Sequence, residues 1–162
     1  MSKVFAFHGG IHPPENKHQS TQSVIAKGPI AKTLYVPLQQ HIGVAAKPCV
    51  NVGDTVLKGQ RIADAQGKFS VPIHAPSSGV VTSIGERSVP HPSGMPGLCI
   101  SIETDGLDQW IEHSGLADYP TLGKDKLIDY ICDRGIAGMG GAGFPTAVKL
   151  HLGDDHIVNT LI

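Results

Sequence analysis

The sequence predicts a mixed fold, in which a small all-β domain precedes the opening segment of an α/β domain. Short β-prone runs separated by turn residues extend from Lys32 to about Asp105. A helical pattern of apolar residues follows, and a glycine-rich stretch then leads into an apolar run. Many short strands at close spacing are typical of a β sandwich or barrel, whereas helix, loop, helix and strand in succession open an α/β domain.

The composition excludes several classes of protein. The 162 residues suffice for one ordinary domain, or for one small domain and part of another. With 13 Lys and Arg against 14 Asp and Glu, the chain lacks the basic excess of a nucleic-acid surface. No apolar run reaches the roughly 18 residues of a membrane span, so we expect a soluble chain without a transmembrane segment of its own. Its three cysteines form no CxxC pair, so we expect no zinc or iron–sulfur site within this chain.

The N-terminal part divides into an arm and a β domain. Residues 1–30 are rich in Gly, Pro, Ser, Gln and His and show no sustained period, which predicts an extended arm on the surface. Residues 31–106 are predicted to form the β domain. Its strand runs are TLYVPL, PCVNV, QRIADA, FSVPIHA, GVVTSI and GLCISIE, separated by turns such as Ser78-Gly79.

Three prolines limit which positions in the sheets their strands can occupy. Proline has no backbone N–H and cannot donate to a β ladder. Pro37, Pro48 and Pro72 should therefore lie at strand starts or on edge strands.

A change of period marks the second part of the chain. Residues 107–122 are predicted to be a linker, and residues 123–162 an incomplete start of an α/β domain. The stretch KDKLIDYICDRG predicts a helix with Leu127, Ile128 and Ile131 on one face, followed by a glycine at its C-terminal cap.

A second helix and a strand should follow the glycine-rich stretch. The helix is expected in PTAVKLHL, with Pro145 in its first turn. The run HIVNTLI, residues 156–162, has the continuous apolar character of a strand buried on both faces. Because one strand cannot form a sheet, we expect this chain to be part of a longer protein.

The stretch between the two predicted helices holds five glycines in nine residues, from Gly135 to Gly143. Successive glycines can turn several backbone N–H groups into one concavity, and the following helix adds the positive end of its dipole, so the stretch suits an anion. Lys149 lies on the same helix face as Pro145, where its ammonium could reach a bound phosphate. A tight turn with Lys149 as a solvated charge fits the local pattern equally well, and GxGxxG alone does not decide, because no strand precedes it.

Longer motifs favour the anion site. The segment GIAGMGGAGFPTAVKL is similar to the flavin-binding segment of the flavin-carrying subunit of respiratory complex I. The motifs FHGGIHPPENK, VPLQQHIG, VGDTVLKGQ, SVPIHAPSSGVV, HPSGMPG and IETDG occur in this order. With them, nearly the whole chain resembles the C subunit of Rnf-type ion-translocating electron transport complexes.

This resemblance implies a peripheral electron-transfer subunit on the cytoplasmic face of the inner (plasma) membrane. It would bind other subunits of a membrane-bound complex and exchange electrons between NAD(H) and ferredoxin or a similar redox partner. FMN and [4Fe–4S] clusters would carry the electrons in the full-length protein.

Matched position by position, the resemblance implies a flavin phosphate and ring-edge segment of seven residues: Gly138, Gly140, Gly141, Ala142, Gly143, Phe144 and Lys149. It implies no catalytic residue and no metal ligand in this chain. Met139 departs from the complex I pattern, which has arginine there, so Lys149 should matter more for the phosphate. The family's further flavin and nicotinamide contacts and its cluster cysteines would lie beyond Ile162, so we expect a partial site here.

A second similarity leaves an alternative function open. The run VGDTVLKGQRIADAQGKFSVPIHAPSSGVV is similar to the biotinyl/lipoyl carrier fold, a barrel–sandwich hybrid of short strands. In lipoyl domains the modified lysine lies on a hairpin about seven residues before an Ala-Pro pair, the position of Lys68 ahead of Ala75-Pro76. The flanking Gly67 and Phe69 depart from the Asp-Lys-Ala and Met-Lys-Met patterns of carriers. We therefore expect the β domain to serve in docking and spacing within a complex.

Overall fold

The computed structural model describes residues 8–11, 13–141 and 143–152. These residues form nine β-strands and two α-helices, with 3₁₀ turns at His18–Ser20 and Tyr119–Thr121. The strands are β1 (Thr33–Pro37), β2 (Lys47–Pro48), β3 (Thr55–Val56), β4 (Arg61–Asp64), β5 (Ile73–His74), β6 (Gly79–Ser88), β7 (Pro96–Thr104), β8 (Ala137–Gly138) and β9 (Phe144–Pro145), and the helices are α1 (Lys124–Asp133) and α2 (Thr146–Leu150).

Two antiparallel sheets build the β domain. One has the order β1-β7-β6-β3 and the other the order β2-β4-β5. The prolines lie where their missing N–H is tolerated, since Pro37 and Pro48 are on the edge strands β1 and β2, and Pro72 directly precedes the edge strand β5. The expectation from the sequence is confirmed at all three positions.

The hydrophobic core lies between these two sheets. Ile100 and Ile102 on the central strand β7 are fully buried, and they share one cluster with Ile62 and Ile73 of the smaller sheet. Strand β7 is buried on both faces in its middle, because Cys99 and Ser101 are covered as well. This shared core joins the two sheets into one β domain.

Several strands differ from the sequence prediction. FSVPIHA forms only the two-residue strand β5, and PCVNV contributes only the end of β2, at Pro48. Strand β3 was not predicted, because a strand of two residues is too short to show an alternation of apolar and polar side chains. The predicted turn at Ser78-Gly79 is partly wrong, since Gly79 is the buried first residue of β6.

Helix α1 confirms the predicted helix, packs against α2 and is tied to the β domain by an ion pair. Ile128, on the predicted apolar face of this helix, is buried. Gly135 follows the C-cap residue and adopts the left-handed conformation, with φ +68°. The Asp133 carboxylate accepts a hydrogen bond of 3.0 Å from the Arg61 guanidinium on β4. Helix α2 is shorter than the expected segment, and the predicted strand at 156–162 lies outside the described residues.

The segments at either end of the β domain differ in how they attach. The described residues of the N-terminal arm are exposed, up to residue 32. The start of the 107–122 segment is fastened to the β domain, since Lys58 donates its N–H to the Gln109 carbonyl at 2.9 Å and its ammonium to Asp108 at 2.7 Å. Among the helices of the described residues, none is both long and apolar enough to cross a bilayer.

Candidate functional site

The glycine-rich stretch forms a β-hairpin, here called the glycine hairpin, residues 137–145. Strand β8 pairs antiparallel with β9, so that Ala137 faces Pro145 and Gly138 faces Phe144. At the tip, Gly143 donates its N–H to the Gly140 carbonyl at 3.3 Å. Sequence analysis did not predict this hairpin, since each of its strands has only two residues.

Three of the five glycines are explained by contacts within the chain. A Cβ at Gly135 would come within 2.6 Å of the Pro72 carbonyl oxygen. At Gly138 it would meet the Lys149 ammonium at 3.2 Å, and at Gly143 it would lie 3.3 Å from the Gln40 carbonyl oxygen. Gly135 and Gly143 are needed for packing whether or not a ligand binds, because they meet backbone atoms. At Gly138 the neighbour is the end of an exposed lysine side chain, which can move aside.

The other two glycines, Gly140 and Gly141, have no such explanation from packing. Apart from each glycine's chain neighbours, no atom of the described residues lies within 4 Å of a Cβ built at either position. Gly141 has φ +60°, which favours glycine, whereas Gly140 has no left-handed backbone angle. Among the described residues, no backbone carbonyl accepts a hydrogen bond from either amide. The hairpin tip is therefore open to another molecule, and the predicted contact Ala142 between Gly141 and Gly143 lies outside the described residues.

Lys149 turns back from α2 toward the glycine hairpin. Its ammonium lies beside Gly138 and 5.6 Å from the centre of the Phe144 ring. The side chain therefore places a positive charge at the base of the hairpin. Helix α2 has only five residues and begins after Pro145, which has no N–H, so the ammonium outweighs the helix dipole as a source of positive potential.

An open cleft of about 1220 Å³ separates the glycine hairpin from the β domain. The glycine hairpin contributes Gly138, Met139, Gly141 and Gly143 to its lining. The opposite lining comes from the loop after β1, the segment before β5 and the tip of the β6–β7 hairpin. The β domain thus shares one concave surface with three residues of the predicted flavin segment, Gly138, Gly141 and Gly143. Gly140, Phe144 and Lys149 are not among the residues that line it.

The loop of residues 39–43, QQHIG, is the part of this surface to which sequence analysis assigned no role. Ile42 in this loop donates its N–H to the Gly143 carbonyl at 3.1 Å. His41 is 7% exposed, and both of its ring nitrogens lie within hydrogen-bond distance of backbone groups. The sequence signal was the motif VPLQQHIG, which contributed to the family resemblance but not to any site.

The cysteines are poor candidates for chemistry. Burial raises the pKa of the Cys99 thiol, and it is also the main cause of the raised pKa of Cys49 and Cys132. Nearby carboxylates, Asp64 at Cys49 and Asp133 at Cys132, raise the pKa further. A raised pKa disfavours the thiolate, which is the form that ligates metals and attacks electrophiles. Within the described ranges, no three His, Cys, Asp or Glu side chains lie together as a metal site would require.

The carrier alternative at Lys68 is not favoured. Lys68 is exposed in the loop that joins β4 to β5, as a modified lysine would be. However, the next residue, Phe69, packs edge-on against Phe144 with 6.0 Å between ring centres, and its carbonyl accepts a 3.0 Å hydrogen bond from Val44. This loop is thus attached to the glycine hairpin, whereas a carrier must present its lysine turn to modifying enzymes and to distant active sites.

We therefore expect Lys68 to be unmodified when the protein is purified from a host that can lipoylate and biotinylate proteins. The flanking residues that such enzymes recognise are absent, and Phe69 is held against Phe144. Intact-mass spectrometry is expected to give the mass of the bare chain. A mass increase equal to a lipoyl or biotinyl group, lost in Lys68→Ala, would contradict this prediction and support the carrier function.

The family comparison agrees with this architecture. Two small antiparallel sheets around one core are the arrangement of a barrel–sandwich hybrid domain. Residues 5–107 match the family model described as the RnfC barrel sandwich hybrid domain. The chain belongs to this family, which indicates a subunit of an Rnf-type electron transport complex.

Proposed function

We propose that this chain is the N-terminal portion of a peripheral subunit that transfers electrons in an ion-translocating NAD(H):ferredoxin-type oxidoreductase. The family membership supports the complex, and the glycine hairpin supports the cofactor. In the full-length protein, bound FMN would supply electron-pair chemistry with NAD(H) and one-electron exchange with [4Fe–4S] clusters. The complex would act at the cytoplasmic face of the membrane.

One observation carries the flavin assignment: Gly140 has neither a left-handed backbone angle nor any neighbour that a side chain would meet. The chain's own packing gives no reason for a glycine there. Other glycines, Gly85 and Gly115 among them, are equally unconstrained. What distinguishes Gly140 is its place at the tip of the hairpin whose base carries the Lys149 ammonium, where a ligand close to the backbone would account for a glycine. A phosphate suits the place, because the amides of Gly140 and Gly141, which no described carbonyl engages, can donate to its oxygens. The Lys149 ammonium, at the base of the same hairpin beside Gly138, would add a positive charge.

The residues present fit part of an FMN site. Gly140, Gly141 and Lys149 would hold the phosphate, and Phe144 would lie toward the ring edge. Gly143 is less suited as a donor than the sequence suggested, because its N–H is already bonded to the Gly140 carbonyl. The remaining contacts of the flavin would come from the part of the protein after this chain.

Replacing Lys149 tests the charge contribution directly. In the full-length protein, Lys149→Ala is expected to weaken FMN binding about tenfold to a hundredfold, the effect of losing one charge-assisted hydrogen bond. The fold should persist, since the Lys149 side chain is exposed. Equilibrium dialysis against FMN measures the dissociation constant.

The control is Lys126→Ala, which removes an exposed lysine from α1. This variant should bind FMN as the unchanged protein does. Equal binding by the Lys149→Ala and Lys126→Ala proteins would remove Lys149 from the site. An unchanged full-length protein that holds no FMN would refute the proposed function as a whole.

A further inference from the structure

We propose that His41 of the β domain is a positioning residue for the glycine hairpin. Through His41, the β domain would contribute to ligand binding by holding the hairpin in place. The inference rests on the proposed flavin function. It goes beyond a role in docking and spacing, because the β domain then determines where the amides of Gly140 and Gly141 lie.

His41 connects two loops of the β domain. Its Nδ1 lies 2.8 Å from the Ile42 carbonyl oxygen, and its Nε2 lies 3.2 Å from the backbone nitrogen of Val71. A carbonyl only accepts and an amide N–H only donates, so the ring carries its proton on Nδ1 and accepts at Nε2. The buried imidazole thus fastens the 39–43 loop to the segment that precedes β5.

Both connected loops contact the glycine hairpin. The 39–43 loop donates the Ile42 N–H to the Gly143 carbonyl at 3.1 Å. The other loop carries Phe69, whose ring packs edge-on against Phe144. These two contacts fix the C-terminal side of the hairpin. His41 links the two loops that make them.

The fit at these contacts is close. A Cβ at Gly143 would lie 3.3 Å from the Gln40 carbonyl oxygen and 3.4 Å from the His41 Cα, in a left-handed backbone with φ +61°. Gln39 fixes the same loop from the other side, since its side-chain amide donates to the carbonyls of His41 and Gly43 at 3.0 and 2.9 Å. The hairpin is therefore fixed at its base, while its tip amides remain open.

Two substitutions of His41 separate positioning from simple packing. His41→Leu keeps the volume and removes both hydrogen bonds, whereas His41→Gln retains an acceptor for the Val71 N–H. In the full-length protein, His41→Leu is expected to raise the FMN dissociation constant about fivefold to tenfold or more, and His41→Gln should restore most of the affinity. Hydrogen exchange of the Ile42 amide, followed without FMN, should accelerate in His41→Leu because this amide forms the bond to Gly143.

A glycine substitution covers the case in which His41→Leu does not fold. Gly143→Ala should displace the hairpin from the 39–43 loop and weaken FMN binding by a similar factor. Gly106→Ala is its control, because Gly106 has a comparable φ of +76° and nothing within 4 Å. Weaker FMN binding together with faster exchange of the Ile42 amide in Gly143→Ala, but not in Gly106→Ala, supports the proposal, whereas weaker binding with unchanged Ile42 exchange would contradict it.

The outcomes distinguish this inference from the proposed function. Faster Ile42 exchange in His41→Leu with unchanged FMN affinity would overturn the positioning role and leave the flavin site standing. Equal loss of affinity in His41→Leu and His41→Gln would also overturn it, because the retained acceptor would then be irrelevant. Absence of FMN binding by the unchanged full-length protein would refute both.

Discussion

Gly140→Val in the full-length protein is expected to abolish FMN retention without lowering the melting temperature. The structure accommodates the new side chain, since no atom in the described part of the chain lies within 4 Å of its Cβ and the backbone angle at Gly140 is not left-handed. A bound phosphate at the hairpin tip would meet that side chain and lose the hydrogen bonds of the neighbouring amides. The expected loss of affinity is on the order of a hundredfold or more.

Flavin absorbance of the purified protein and equilibrium dialysis measure the retention. Gly115→Val is the matched control, because it places the same side chain on another open backbone without a left-handed angle. Gly140 is a sharper probe than Gly141, where φ +60° would strain any valine and confuse steric exclusion with strain. Normal FMN retention by Gly140→Val would show that the glycine hairpin is only a turn.

The local parts of the fold could be predicted from the sequence. Helix α1 follows from the spacing of Leu127, Ile128 and Ile131, and the long strands β6 and β7 follow from their apolar runs. The missing proline N–H predicted that Pro37 and Pro48 lie at strand starts or on edge strands, and both are on edge strands. The two-residue strands could not be predicted, since only long-range pairing defines them.

At the candidate site too, local features of the glycine-rich stretch could be predicted from the sequence, whereas its long-range contacts could not. The sequence indicated that five glycines need close approach or special backbone angles, but not which partner each one meets. Gly135 meets Pro72 and Gly143 meets Gln40, and both partners lie far away in the chain. Once these contacts and the left-handed φ of Gly141 are assigned, Gly140 remains as a glycine of this stretch with neither a described neighbour nor a backbone angle to explain it. His41 was missed because a single buried histidine has no sequence pattern.

Gly79→Ala is expected to destabilise the β domain strongly, because this glycine lies where two backbones meet. It begins β6 between β3 and β7, opposite Val56 on one side and Thr104 on the other. A Cβ there would clash with the Glu103 carbonyl oxygen and come within 2.9 Å of the Thr104 Cα. Backbone atoms in the middle of a sheet cannot move aside as the end of a side chain can.

The expected cost is about 1–3 kcal/mol or more, the usual range for overpacking a buried site. For a chain of this length, each kcal/mol lowers the melting temperature by roughly 2–4 °C. Gly85→Ala provides the control within the same strand, since nothing lies within 4 Å of its Cβ. Calorimetry of the two variants should therefore show a large fall for Gly79→Ala and little change for Gly85→Ala. Equal melting temperatures would mean that β6 and β7 do not pack as closely at Gly79 as the structure has them, and the register of the central sheet would need revision.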